Sequence, residues 1–69
     1  MKTGDLVSIS YDGRTVAGVV TLASANGRSL VLEFEAVMGG YLGSMPVLMD
    51  DAGVYRDLRR REPVELVKR

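Results

Sequence analysis

Three short turn signals, Asp12-Gly13, Asn26-Gly27 and Asp50-Asp51-Ala52-Gly53, cut this chain into alternating apolar runs. Asn-Gly and Asp-Gly favour tight hairpins because both central residues tolerate positive φ. The runs between them are rich in Val, Leu and other strand formers, and none sustains a helical period. A chain punctuated in this way reads as a meander of short antiparallel strands closed into a small barrel. The expected fold is all-β, with five or six strands in one domain spanning residues 1–69.

With 69 residues, such a chain buries only about 60% of the surface its unfolded form exposes. A core of that size contributes roughly 3–5 kcal/mol of net stability. There is no cysteine and no histidine. That removes disulfides, thiolate metal sites, the commonest zinc ligand and the usual general base. Packing, or burial of more apolar surface by self-association, must supply what cross-links cannot.

Nine basic and nine acidic residues cancel, and a neutral chain argues weakly against a dedicated nucleic-acid binder. The distribution is uneven. Glu33 to Asp51 holds four acids and no base, whereas Arg56 to Arg69 holds six bases against three acids. No apolar run approaches the ~20 residues needed to span a bilayer. The opening MKTGDLV has no apolar stretch of the signal-peptide kind. The expected location is the cytoplasm, away from membranes.

Alternation assigns the strands. Leu6 to Tyr11 puts Val7, Ile9 and Tyr11 on one face. Arg14 to Ala23 is apolar on both faces, which places it centrally, with Val16, Gly18, Val20 and Leu22 together. Gly18 suggests a bulge or a sharp bend. Arg28 to Ala36 points Leu30, Leu32, Phe34 and Ala36 inward, and Val31, Glu33 and Glu35 outward. Val37 to Ser44, with three glycines, reads as a wide turn. Strands at Met45 to Asp50, Val54 to Leu58 and Pro63 to Val67 follow, with a one-turn 3₁₀ segment allowed at Arg59–Glu62. Val7, Ile9, Val20, Leu30, Leu32, Phe34 and Val64 form the expected core.

The opening Gly4-Asp5-Leu6-Val7, the Gly18-Val19-Val20 of the second strand and the closing Pro63-Val64-Glu65-Leu66 together resemble an SH3-like small barrel. The rhythm is similar to that of the KOW and Tudor-type domains of translation and transcription proteins. The resemblance covers most of the chain and implies the fold, not a set of binding residues. A Tudor-type aromatic cage needs several aromatic faces around a cation; here only Tyr11, Tyr41, Tyr55 and Phe34 exist, and Phe34 is assigned to the core. Type II dihydrofolate reductases are also short SH3-like barrels, and their active surface carries Val-Gln-Ile-Tyr. The corresponding Ser44-Met45-Pro46-Val47-Leu48 has neither the Gln nor the Tyr.

Conventional catalysis is poorly supplied. Ser8, Ser10, Ser24, Ser29 and Ser44 have no neighbouring base to activate them. Glu33/Glu35 read as a solvated strand face and Asp50/Asp51 as turn chemistry. No catalytic residue, metal ligand or cofactor is expected, and an enzyme would need a site shared between subunits.

Two surfaces stand out as candidate sites. Met38, Tyr41, Leu42 and Met45 gather large apolar side chains onto a glycine-rich backbone. They form either a lid over one barrel end or an adaptable surface for a protein partner or a second copy. Arg56, Arg59, Arg60 and Arg61 form the alternative, a KOW-like nucleic-acid contact through phosphates. The expected function is a non-catalytic protein-interaction or self-associating module, with nucleic-acid binding as the second reading.

Overall fold

The computed structural model describes Met1–Arg69 and contains six strands and no helix. They are β1 (Leu6–Tyr11), β2 (Arg14–Ala23), β3 (Ser29–Met38), β4 (Tyr41–Met49), β5 (Tyr55–Asp57) and β6 (Glu65–Lys68). All neighbours are antiparallel, in the order β5-β4-β3-β2-β1-β6. The sheet curls into a half-barrel. A single bridge, Arg56 to Pro63, links β5 to the approach of β6, and the Val64 N–H donates to the Tyr55 carbonyl at 2.8 Å.

Twelve apolar side chains fill the interior. All seven expected core residues are among them, with Phe34 the least covered at 7% exposure. The other five are Tyr11, Met38, Tyr41, Met45 and Val47. Leu66 packs against this core, whereas Val67 points out.

The region from Val37 to Ser44 departs from the sequence expectation. It is a hairpin, not a wide turn. β3 continues to Met38, two residues turn the chain, and β4 starts at Tyr41. Gly39 and Gly40 take φ of 55° and 85°, the left-handed pair that a tight hairpin turn requires. Between Glu33↔Ser44 and Val37↔Leu42 three β3 residues oppose Gly43 alone. That irregularity brings Met38 and Tyr41 inward and turns Leu42 out.

β2 also differs from simple alternation. Its register against β3 slips between Val20 and Leu22, leaving Thr21 as the extra residue. Thr21 Oγ1 donates to the Val31 carbonyl at 3.2 Å. The slip flips the faces, so Leu22 is 64% exposed while Ala23 packs on the core. The bulge therefore lies three residues beyond Gly18. Glycine at 18 answers a different need. A Cβ there would sit 2.5 Å from Ile9 Cδ1 and 2.7 Å from the Glu33 carbonyl oxygen. The connection at 58–62 is a turn and not a 3₁₀ segment: the Arg61 N–H donates to the Asp57 carbonyl at 3.1 Å, and Arg61 takes φ 58°.

Candidate functional site

The apolar cluster divides sharply. Met38, Tyr41 and Met45 are 1%, 3% and 0% exposed, and Leu42 is 80% exposed. The first three are core, so they are not available as the centre of a contact surface. They belong to the core cluster, and Leu42 alone of the four faces solvent. The physical reason is the tight hairpin, which replaces a loose loop by alternating strand residues.

The arginine run is tied into the same cluster. Tyr11 and Tyr41 meet edge to face with centroids 6.1 Å apart. Arg60 donates from Nε and Nη2 to the Tyr11 hydroxyl at 3.2 and 3.1 Å, and lies 3.7 Å from Asp12. The Arg59 guanidinium stacks 4.8 Å from the Tyr41 ring centre. Arg56 donates to Asp50 Oδ2 at 2.8 Å and to the Arg61 carbonyl at 2.8 Å. Of the four arginines singled out by sequence, only the Arg61 side chain has no recorded partner inside the molecule.

Beneath them lies a residue that sequence reasoning passed over. Asp57 is fully buried. Its Oδ2 accepts from the Tyr41 hydroxyl at 2.7 Å and from the Arg60 N–H at 2.9 Å, and its Oδ1 accepts from the Glu62 N–H at 2.8 Å. Burial is the largest single influence on this carboxyl and pushes its pKa up. The hydrogen bonds from Arg60, Tyr41 and Glu62 together outweigh it and hold the pKa below the ordinary value. Burial raises the Tyr41 pKa, and the bond to Asp57 raises it further. With its neighbours satisfied and no opening above it, this cluster is structural.

The acidic turn is structural too. Asp50 Oδ1 accepts the Ala52 and Val54 N–H groups, each at 2.9 Å. Its pKa is lowered by the Arg56 hydrogen bond first and by the backbone donors after it.

An open feature lies between β2 and β3. β2 pairs with β3 only from Gly18↔Phe34 to Ala23↔Leu30. Beyond Gly18, residues 14–17 pair with β1 alone, while the end of β3 pairs with β4 alone. The two hairpins splay, leaving a seam between β2 and β3. The direction of the backbone groups follows from alternation. Val20 donates to the Asp5 carbonyl at 2.9 Å, so up to the bulge at Thr21 even-numbered β2 residues bond toward β1. Gly18↔Phe34 is a non-hydrogen-bonded pair, closed on its outer side by the Glu35 N–H to the Ala17 carbonyl. Beyond it the Ala17 N–H and both backbone groups of Thr15 turn toward the seam, where β3 does not pair with them. Arg28 accepts from Met49 at 2.7 Å, so even-numbered β3 residues bond toward β4. Glu35 and Val37 face the seam from the other side. At its far end Arg14 Nη1 donates to the Val37 carbonyl and bridges the gap.

A groove of about 610 Å³ follows this seam. Val16, Gly18 and Phe34 form its floor, Ala17 and Val19 one wall, and Glu33 and Glu35 the other. Leu6 and Arg69 border the end nearest β1. No group of three or more acidic side chains converges here or elsewhere in a way that could hold a metal ion.

No protein-family model matches this chain, and comparison with curated proteins and with solved structures gives no match.

Proposed function

We propose that this chain is a non-catalytic protein-interaction module that takes an extended polypeptide segment at the β2/β3 seam. The observation carrying the proposal is the edge left unpaired at Thr15 and at the Ala17 N–H. Unmet N–H and C=O groups on a strand edge form a template for another strand. β-Strand addition uses such edges, the backbone giving affinity and the flanking side chains giving specificity. Thr15 and Ala17 offer two donors and one acceptor there. Each intramolecular hydrogen bond is worth about 0.5–1.5 kcal/mol net, so the ladder contributes about 1.5–4.5 kcal/mol before side chains are counted. The SH3-like rhythm of the sequence and the curled sheet suit this reading, because the gap arises where a strongly bent sheet stops pairing.

Amide hydrogen exchange tests the proposal directly. In the free protein the Thr15 and Ala17 amides should exchange fast, while those of Val16 and Gly18 should be protected. Adding a short peptide of alternating Val and Thr should slow Thr15 and Ala17. Ala17→Pro removes one seam-facing N–H without removing a bond to β1. It should weaken peptide binding about fivefold, the equivalent of one hydrogen bond. Slow exchange at Thr15 and Ala17 in the free protein would mean that the edge is already paired and would end the proposal.

A further inference from the structure

We propose that the arginines gathered at the Gly39-Gly40 hairpin tip bind a single-stranded nucleic acid through its phosphates. This binding does not use the backbone edge at Thr15 and Ala17. Three guanidiniums reach residues 37–41 from separate parts of the chain. Arg14, at the start of β2, donates to the Val37 carbonyl. Arg60 lies against Gly39, where a Cβ would stand 2.8 Å from its Nη2. Arg59 lies over the Tyr41 ring. Glycines 39 and 40 add no side chain to cover them.

Each of these guanidiniums is anchored to the protein and still has donors to give. Arg59 spends none of its N–H groups inside the molecule, Arg14 one and Arg60 two. Stacking on a ring fixes the Arg59 plane and leaves its edge free. The turn that carries Arg59, Arg60 and Arg61 is itself held. Asp57 accepts from the Arg60 and Glu62 N–H groups, and Arg56 donates to the Arg61 carbonyl. Arg61 sits at φ 58°, a costly conformation for a residue with a side chain, which such anchoring sustains. Arginines fixed in this way lose less freedom on meeting an anion. The acids nearby, Asp12 at 3.7 Å from Arg60 and Glu62, are outnumbered by Arg14, Arg59, Arg60 and Arg61. No cavity brings Arg14, Arg59 and Arg60 together, whereas a small ligand is mostly buried in its site. An open cationic surface suits a chain of phosphates instead. Tyr11 and Tyr41 are buried beneath, so bases find no ring to stack on and the contact is to the backbone. An acidic peptide carries its charge on side chains whose rotamers must be frozen, while a phosphodiester carries its charge in the backbone itself.

Fluorescence anisotropy with a labelled oligothymidylate and a labelled oligoglutamate of equal length tests this. At low salt the oligothymidylate should bind more tightly. Contacts to three phosphates of a single strand give a salt slope of about −2. Its affinity should thus fall about twentyfold between about 50 and 200 mM salt. Arg14→Gln and Arg59→Gln should each make the slope shallower by about 0.7, in proteins shown to be folded by circular dichroism. Arg59→Gln serves alone if Arg14→Gln folds poorly, since the Arg59 side chain makes no hydrogen bond inside the molecule. Arg69→Gln, at the Leu6 end of β1, should leave the slope as it is. No binding of the oligothymidylate at low salt would overturn the proposal. Equal or tighter binding of the oligoglutamate would overturn the phosphate chemistry. A slope that Arg59→Gln leaves unchanged, or that Arg69→Gln reduces equally, would overturn the assignment to the hairpin tip. Full displacement by millimolar inorganic phosphate at constant ionic strength would show a site for one anion and would overturn the strand.

Discussion

Replacing Asp57 by Asn tests whether one buried carboxylate holds the barrel end together. The native side chain accepts three hydrogen bonds, two at Oδ2 from Tyr41 and Arg60 and one at Oδ1 from Glu62. Asparagine keeps a single oxygen. If that oxygen faces Tyr41 and Arg60, the amide nitrogen meets the Glu62 N–H, donor against donor. One bond is lost and two lose their charge assistance. Bonds to charged groups contribute about 1.5–3 kcal/mol and neutral ones about 0.5–1.5, so the loss is about 2–4 kcal/mol. That approaches the whole of the roughly 3–5 kcal/mol a domain of this size has. The melting temperature should fall by about 8 °C or more, on the scale of about 4–8 °C per kcal/mol for so short a chain.

The effect should depend on pH with a definite sign. The folded-state pKa of Asp57 lies below its unfolded value, which is about 3.9. A depressed carboxylate stabilises the fold above the unfolded pKa, and that contribution fades as pH falls through the folded pKa. Urea titrations of the native protein and of Asp57→Asn should therefore differ most at neutral pH and converge as the medium becomes strongly acid. A difference under about 0.5 kcal/mol at neutral pH, within the range of an ordinary surface change, would refute the role assigned to Asp57. A large difference that does not shrink in acid would refute the charge argument while leaving the packing.

Gly18→Ala should destabilise by about 1–3 kcal/mol through overpacking. Ile9→Val in the same chain should recover only part of this in thermal melts, because the Glu33 carbonyl still blocks the added methyl; full recovery would show Ile9 to be the sole obstacle. Met45→Ala should cost about 2–5 kcal/mol, the range for a buried methionine. Leu42→Ser should stay within about 0.5 kcal/mol; equal losses in urea melts would contradict the division of this hairpin into an inward and an outward face.

The sequence by itself determined the all-β meander, to within one strand, and most of the core. Asp12-Gly13 and the alternation of β3 are local signals, and local signals suffice where one residue's face fixes the next. Gly39-Gly40 was visible as a break but not as a two-residue turn, because three glycines in eight positions fit a loop and a hairpin equally well. The fate of Met38, Tyr41 and Met45 followed from that ambiguity. Leu22 was assigned to the wrong face because a bulge at Thr21 leaves no mark in a run of apolar residues. Asp57 looked like one charge among many, since its partners come from β4 and from the turn at 58–62, and its burial exists only once they meet.

The seam is the feature that tertiary structure alone decided. Nothing in residues 14–17 or 35–37 marks them as parting from each other, for both read as good strand sequence, and 14–17 pair with β1 on their other side. Whether they also pair with each other depends on how far the sheet bends at Gly18 and on the irregularity opposite Gly43. Those are sums over the whole curled sheet, and a chain read one residue at a time does not contain them.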